Sequence, residues 1–354
     1  MNYSIIVPVY NRPNEVDELL ESILAQTVMP YEVIIVEDGS TEPCNHIVEK
    51  YKVVEKYRDN ISLKYMFKEN SGPGLSRNYG AGQASGDFFI FLDSDCILPA
   101  GYMEAVDNFI YNNEVDAFGG PDRAHDSFTP VQKAISITMT SFITTGGIRG
   151  GKKSMETFHP RSFNMGLSRE VFEKTGGFSS LRFGEDIDLS LRIFSAGFKV
   201  SLIPEAYVYH KRRTDLRKFY RQVYNSGMAR INLYILHPES LKPVHLLPSL
   251  FLAGSIILME IALCILLLGF FPSLFLWASP SLFLWVLSPL LLFALFILAA
   301  SYCAERSIKV AFIAVIASFV QLYGYGAGFS SAFFQRIIQG KKEEARAFRE
   351  TFYK

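Results

Sequence analysis

Residues 88–92 read FFIFL, and Asp93, Ser94 and Asp95 follow at once. Five apolar residues in a row, rich in aromatic side chains, predict a strand that is buried on both faces, as in a parallel sheet. In extended backbone, two residues separated by one point to the same side. Asp93 and Asp95 would therefore face one ligand at the carboxyl end of the strand, where open α/β sheets bind their ligands.

Two carboxylates in this position can hold a divalent cation and, through it, a phosphate-bearing substrate. The alternative is a polar strand end followed by an ordinary turn, because two aspartates separated by one residue are common in unrelated proteins. The two interpretations can be distinguished only by other sequence features near the same edge of the sheet.

The composition of the 354 residues excludes some classes of protein. With 35 basic and 35 acidic residues the net charge is zero, so there is no general attraction to nucleic acid. The four cysteines lack the spacing of a zinc site or a disulfide framework. The N-terminus has neither a basic region nor a long apolar core, so no signal peptide is predicted and the first domain should stay in the cytosol.

Strand-like and helix-like segments alternate over the first hundred residues. This alternation predicts an α/β fold with a mostly parallel sheet flanked by helices. The predicted strands are 4–9, 32–36, 62–67, 88–92, 115–118 and 199–203, and the predicted helices are 15–26, 45–57, 74–84, 170–175 and 187–195. The pattern at 131–145 fits either a helix or an amphipathic surface segment.

Three apolar segments, 246–271, 282–301 and 310–334, each reach the ~20 residues that a helix needs to cross the hydrocarbon core. Their near-total lack of charge favours membrane spans over buried helices of a soluble protein. Basic residues lie between 211 and 230, and by the positive-inside rule this flank is cytoplasmic. The tail after 335 is also basic. Three complete crossings would place it on the other side, so either the tail is an exception or one segment does not cross.

Polar clusters follow the first four predicted strands, at residues 8–11, 37–40, 70–74 and 93–95. Each cluster alone is compatible with turn chemistry. Four clusters at one edge of a sheet instead favour a nucleoside-diphosphate ligand, because a carboxylate can bind a base and a glycine-rich loop allows close approach of the backbone. The glycine patterns of P-loop ATPases and Rossmann dehydrogenases are absent from the right context.

A fifth cluster, residues 176–186, ends with Glu185 and Asp186 at the start of a predicted helix. Acidic residues there can cap the helix N-terminus. One of them can instead act as a general base that removes a proton from an attacking hydroxyl.

These five clusters, in this order, resemble the signature of family 2 glycosyltransferases with the GT-A fold, and the resemblance covers about residues 2–227. It implies an inverting, metal-dependent transfer from a nucleotide sugar, with Mn²⁺ or Mg²⁺ as the metal and a UDP-sugar as the expected donor. Cellulose and hyaluronan synthases, which are processive, share a Q-x-x-R-W motif. Residues 219–227 read FYRQVYNSG, without Arg-Trp, so transfer of a single sugar is expected.

The resemblance also implies roles for individual residues. Asp186 becomes the catalytic base with Glu185 beside it, and His210, after a later strand, occupies the place of a metal ligand. A partly buried histidine at a strand end is an equally good interpretation of His210. The nucleotide site comprises Pro8, Tyr10, Asp38 at the base, Arg77, Ser94 and Asp93, and the metal site comprises Asp93, Asp95 and His210. For Arg77 the alternative is a surface salt bridge.

The chain is thus expected to comprise a cytosolic GT-A domain (1–230), a juxtamembrane linker (231–245), a transmembrane region (246–335) and a basic tail (336–354). This organisation predicts a multi-pass protein of the inner (cytoplasmic) membrane that acts in cell-envelope glycan synthesis on a hydroxyl of a lipid-linked or membrane-proximal acceptor. One alternative is a polyprenyl-phosphate glycosyltransferase. Another is a transporter or membrane structural protein with a nucleotide-sensing domain, although Glu260 is the only charge between 246 and 304.

Overall fold

The computed structural model describes residues 1–54, 61–145, 158–211, 213–268 and 280–342. The chain divides into two compact units. The N-terminal unit comprises Met1–Phe128 and Gly146–Lys211, and the helical unit comprises Thr129–Thr145 and Arg212–Lys354.

The described strands all lie in the N-terminal unit. They are β1 (Tyr3–Val9), β2 (Glu32–Asp38), β3 (Ser62–Lys68), β4 (Phe88–Leu92), β5 (Cys96–Ile97), β6 (Ala117–Gly119), β7 (Asp122–Arg123), β8 (Asn164–Ser168), β9 (Val200–Leu202) and β10 (Val208–His210).

The helices belong to both units. Those of the N-terminal unit are α1 (Pro13–Leu24), α2 (Asn45–Lys52), α3 (Pro73–Gly82), α4 (Tyr102–Asn112), α7 (Arg169–Thr175) and α8 (Glu185–Ser195), and those of the helical unit are α5 (Pro130–Thr140), α6 (Phe142–Thr145), α9 (Leu216–Leu236), α10 (Leu247–Leu268), α11 (Pro280–Glu305) and α12 (Ile308–Phe333).

A seven-stranded sheet in the order β3-β2-β1-β4-β8-β6-β9 forms the centre of the N-terminal unit. The four strands from β3 to β4 are parallel, whereas β8 runs antiparallel to both β4 and β6. The predicted mostly parallel sheet, flanked by helices, is confirmed.

Strand β4 is buried on both faces, as its apolar run predicted. Phe88, Ile90 and Leu92 enter one hydrophobic core, and Phe89 and Phe91 enter the other. Because the strand is anchored from both sides, the residues that follow it leave the sheet at a fixed point.

A second sheet of three short strands, β5-β10-β7, begins directly after Asp95. Strand β10 is antiparallel to β5, and its register pairs His210 with Cys96. This pairing brings His210 next to the carboxylates at the end of β4.

The predicted strands and helices of the first hundred residues lie within a few residues of their observed positions. The helix predicted at 45–57 is observed over Asn45–Lys52, and residues 55–57 of the prediction lie outside the described part of the chain. Residues 131–145 form two helices, α5 and α6. Strands β5, β7 and β8 were not predicted, because segments of two to five residues offer too few positions for a period. Helix α4 was missed although Tyr102, Val106 and Ile110, all buried, have helical spacing.

Among the described residues of the helical unit, three helices are long and apolar enough to cross a membrane: Pro243–Leu268, Ser281–Glu305 and Ile308–Ile338. Residues 269–271, the end of the first predicted segment, are not among the described residues. Helix α12 continues without a break through Gly324, Gly326 and Gly328. Helix α9 contains residue 230, where the first domain was predicted to end, and continues to Leu236. The domain limits inferred from the sequence stay a prediction.

We expect Phe91→Ala to destabilise the protein by about 3–5 kcal/mol, because it removes a buried ring that packs against Phe178 with 5.0 Å between centroids. Phe67→Ala is the matched control, since the Phe67 side chain is exposed. Thermal unfolding in detergent should show a clearly lower midpoint for Phe91→Ala alone. Equal midpoints for the two variants would contradict the two-faced burial of β4.

Candidate active site

The side chains predicted to carry chemistry meet where strands end. Asp38 ends β2, Asp93 and Asp95 follow β4, and His210 ends β10. The positions of the three aspartates follow from the parallel order of the central strands, whose carboxyl ends share one edge. His210 is brought there by the antiparallel pairing of β10 with β5.

Asp93, Asp95 and His210 form one cluster. His210 Nε2 lies 3.1 Å from Asp95 Oδ1 and 3.8 Å from Asp93 Oδ2. Arg12 pairs with the other oxygen of Asp95. Burial opposes ionisation of Asp95, but His210 and Arg12 together hold the pKa of this carboxyl well below its usual range.

The donor set of this cluster suits a divalent cation. One ligand atom each from Asp95, Cys96 and His210 lies within 4.8 Å of the others. Asp95 Oδ1 is buried and accepts no well-aligned hydrogen bond from the described residues, so it can serve as a ligand. The Cys96 thiol instead faces the carbonyl oxygen of Phe163 at 3.5 Å. Oxygen and imidazole donors fit Mn²⁺ or Mg²⁺ better than a thiol does.

Arg77 connects this cluster to the fifth polar cluster. Its guanidinium lies 2.5 Å from Asp93 Oδ1 and 3.3 Å from Glu185 Oε1, and it stands over the ring of Phe178. Arg77 is only 2% exposed, so the surface salt bridge considered from the sequence is wrong. A buried guanidinium with two carboxylate partners is a fixed part of the site.

Glu185 and Asp186 begin helix α8 after Gly184, whose φ of 82° lies in the left-handed region. Burial and the neighbouring charge of Asp186 raise the pKa of Glu185 to about 8, while Arg77 opposes the shift. Asp186 accepts a hydrogen bond from the Ile187 backbone N–H at 2.8 Å. The two neighbouring carboxylates thus have different environments.

Asp38 organises the glycine-rich loop. Its carboxylate accepts hydrogen bonds from the backbone N–H groups of Ser71 and Gly72, both at 2.9 Å, and from Lys68 Nζ at 2.7 Å. Gly72 has a φ of 94°, which other residues rarely adopt, and it caps helix α3. Asp38 therefore fixes the loop from which the helix carrying Arg77 begins.

The remaining predicted nucleotide residues lie near the same strand ends but differ in exposure. Pro8 is buried within β1, opposite Val36 of β2, and Ser94 is also buried. Tyr10 follows β1 and is partly exposed. Their roles at a nucleotide stay a prediction.

Two arginines of the site were not predicted. Arg12 comes directly after the first polar cluster at the end of β1, so its position in the sequence could have identified it as a residue of the site. Arg161 NH1 lies 3.6 Å from Asp186 Oδ2. It falls in the irregular region before β8, which offered no periodic pattern.

We expect Arg77→Gln to destabilise the protein more at pH 9 than at pH 6. A carboxyl with a raised folded-state pKa stabilises the fold at low pH, and this contribution is lost as the pH rises through that pKa. Without Arg77 the pKa of Glu185 rises further. Above pH 8 the variant therefore continues to lose stability, by up to about 1.4 kcal/mol per pH unit, while the native chain no longer does. Thermal unfolding in detergent at both pH values measures the difference.

The double variant Arg77→Gln with Glu185→Gln is compared with Glu185→Gln alone. Neither chain has a titrating group at position 185, so the difference in stability between these two should vary much less with pH. If the single variant were equally destabilised at pH 6 and pH 9, the Arg77–Glu185 pairing would be the wrong explanation.

Residues 4–176 match the family described as Glycosyl transferase family 2. Glycosyltransferase AglE of Haloferax volcanii is 26% identical over 265 residues, which cover 71% of this chain and 80% of that protein. Minor teichoic acid biosynthesis protein GgaB of Bacillus subtilis is 27% identical over 218 residues, which cover 60% of this chain and 23% of that protein. Other relatives are also longer, and the matched residues span 17% to 32% of their length.

Mannosyltransferase PcManGT from Pyrobaculum calidifontis, solved in complex with GDP-Man and Mn²⁺, has a similar fold, with a TM-score of 0.60 and 18% identity. The likeness covers 90% of this chain and 86% of that chain. Together with the ordered clusters along the sheet edge, the match identifies residues 4–176 as a glycosyltransferase family 2 domain with a GT-A-like sheet, and helices long and apolar enough to span a membrane follow it in the chain.

Proposed function

We propose that this chain is an inverting, metal-dependent glycosyltransferase that moves one sugar from a nucleoside-diphosphate donor to a hydroxyl of a lipid-linked or membrane-proximal acceptor. The observation that carries the proposal is the juxtaposition of two carboxylate pairs. Asp93 and Asp95 lie with His210, and Arg77 links Asp93 to Glu185, the neighbour of Asp186.

Asp95, His210 and Asp93 would hold the metal, Mn²⁺ or Mg²⁺. When bound, the ion would supply positive charge for the departing diphosphate. Arg12 and Arg77 already place two cations at these carboxylates. Positive charge fixed in advance at this position stabilises a leaving group that becomes more negative during transfer.

The nucleotide would lie along the edge formed by the first four clusters. Asp38 holds the backbone of Ser71 and Gly72. We infer that Asp38 and this loop bind the base together, with Pro8, Tyr10 and Ser94 along the rest of the nucleotide. A UDP-sugar is the first donor to test.

Asp186 is the proposed base. Glu185 pairs with the buried Arg77 at 3.3 Å, whereas the partner of Asp186, Arg161, lies farther away at 3.6 Å and is more exposed. Asp186 is therefore the carboxylate that we assign to the acceptor. Asp186 would remove the proton from the acceptor hydroxyl as the oxygen attacks the anomeric carbon from the face opposite the diphosphate. The transfer is then a single displacement, and no bond to the enzyme forms.

The acceptor class follows from the apolar helices and from the relatives. Helices long enough to cross a membrane would keep the transferase close to lipid, and one relative is named for teichoic acid biosynthesis. We therefore propose a role in cell-envelope glycan synthesis at the inner membrane, with the N-terminal unit in the cytosol. An assay with polyprenyl phosphate and with a lipid-linked saccharide tests the acceptor directly, and transfer to the phosphate alone would overturn the hydroxyl assignment.

Asp186→Asn should lower the turnover number by about 10²–10⁴-fold, which is the contribution typical of a general base. Donor affinity, measured by isothermal titration calorimetry, should stay within a few-fold, because the proposed donor contacts are unchanged. Glu170→Gln is the control, since Glu170 lies exposed on α7 and pairs only with Lys174 in the described structure. Unchanged turnover in Asp186→Asn would exclude Asp186 as the base.

Removing divalent metal with a chelator should abolish transfer, and added Mn²⁺ or Mg²⁺ should restore it. Asp95→Asn and His210→Ala should each raise the metal concentration that gives half-maximal rate by at least about 10-fold, because even the loss of a residue that orients a ligand lowers metal affinity about 10–100-fold. Cys96→Ser should change it little, because the thiol is a poor ligand for a hard cation. A larger effect of Cys96→Ser than of His210→Ala would show that the ligand set is wrong.

A further inference from the structure

Helix α12 differs from the other two candidate spans in how much protein covers it. In its most apolar stretch, 50% of the residues are buried, against 11% for the span that contains α10 and 6% for the span of α11. Helices α10 and α11 are thus mostly free to face lipid, whereas half of α12 faces other helices.

The first half of α12 packs against α5. Val310 and Ala314 share a buried cluster with Ala134. Farther along, the hydroxyl groups of Thr138 and Ser318 lie 3.3 Å apart. Helix α5 begins a few residues after β7 and is far too short to cross a bilayer.

The second half of α12 packs against α9. A Cβ atom at Gly324 would lie 3.2 Å from the Tyr220 ring, and one at Gly328 would lie 2.0 Å from the Tyr224 carbonyl oxygen. Just beyond α12, Arg336 donates a hydrogen bond to Asn232 at 2.8 Å. In all three contacts the residue of α9 and its partner are 104 positions apart in the sequence. The two helices therefore run parallel with a constant register.

This register fixes the relative depth of the two helices. Tyr220 lies beside Gly324, close to the middle of the third candidate span, Ile308–Ile338. The charged side chains that flank Tyr220 on α9 are exposed, namely Arg217, Lys218 and Arg221. If α12 crossed the membrane, these three cations would lie at the centre of the hydrocarbon, at a cost of about 2.5–3.5 kcal/mol each.

The end of α11 gives an independent observation. Glu305, its last residue, lies 3.8 Å from Lys133 in the first turn of α5. The chain therefore emerges from α11 next to α5, and α12 starts from there.

We propose that α10 and α11 cross the membrane as a hairpin and that α12 lies along the membrane surface, on the same side as α5 and α9. The chain then crosses twice. The exposed apolar residues Ile308, Phe312 and Ile316, spaced four apart, would enter the acyl region. The exposed cations of α9 suit the anionic headgroups of the cytoplasmic leaflet.

Two crossings also account for the basic tail. Lys341 and Lys342 follow α12, and they stay on the side of the basic α9 flank only if α12 does not cross. This arrangement satisfies the positive-inside rule, which three crossings would violate.

Cysteine labelling of the full-length protein in cells tests the topology. Cys264 and Cys303, the two exposed cysteines, are first replaced by alanine. Single cysteines are then introduced as Lys218→Cys, Ser281→Cys and Lys341→Cys. A membrane-impermeant maleimide is applied before and after the cytoplasmic membrane is permeabilised, and only variants that insert into the membrane at native levels are compared.

We expect Ser281→Cys to react in intact cells, and Lys218→Cys and Lys341→Cys to react only after permeabilisation. Reaction of both Ser281→Cys and Lys341→Cys in intact cells would mean that α12 crosses, and it would overturn the proposal. Absence of reaction at all three positions in intact cells would also overturn it, because the hairpin would then not cross. Neither result would bear on whether the chain transfers a sugar.

Discussion

The buried guanidinium of Arg77 is the interaction on which the candidate site depends. It contacts Asp93 at 2.5 Å and Glu185 at 3.3 Å, and so joins the proposed metal and nucleotide side of the site to the proposed acceptor side. A charge in this position is tolerable only if both partners stay in place. The loop before α3 must therefore be fixed, which Asp38 achieves, and β4 must end at a fixed point, which its burial on both faces achieves. The packing of the fold thus determines where the residues of the site lie.

The sequence predicted strands correctly where a run of several apolar residues indicated burial. Strands β1 to β4 are buried or half-buried runs of five to seven residues, and the polar clusters after them could be placed at one sheet edge without coordinates. The approach of His210 to Asp95 depends on pairing with β5, a strand of two residues that has no periodicity. The contact between Arg161 and Asp186, and the burial of Arg77, depend on the packing of distant segments, which a local pattern does not encode.

In the helical unit, too, the sequence predicted the apolar segments but not how they pack. Hydropathy measures a segment by itself, and by that measure α12 is a span like α10 and α11. Its neighbours distinguish it, because Gly324 and Gly328 bring it against a charged helix in a fixed register. Glycines allow close helix packing, and α12 is continuous through both of them. A helix layer at the membrane surface would suit an enzyme whose acceptor is held in lipid.

The central claim is a single displacement at the anomeric carbon, with Asp186 as the base and the diphosphate leaving from the side of Asp93 and Asp95. The anomeric configuration of the product tests this claim most directly. Proton NMR of the glycosidic linkage, formed from a donor of known configuration and recorded early in the reaction, should show the opposite configuration in the product. A product with the donor's configuration would require a different mechanism and would contradict the account.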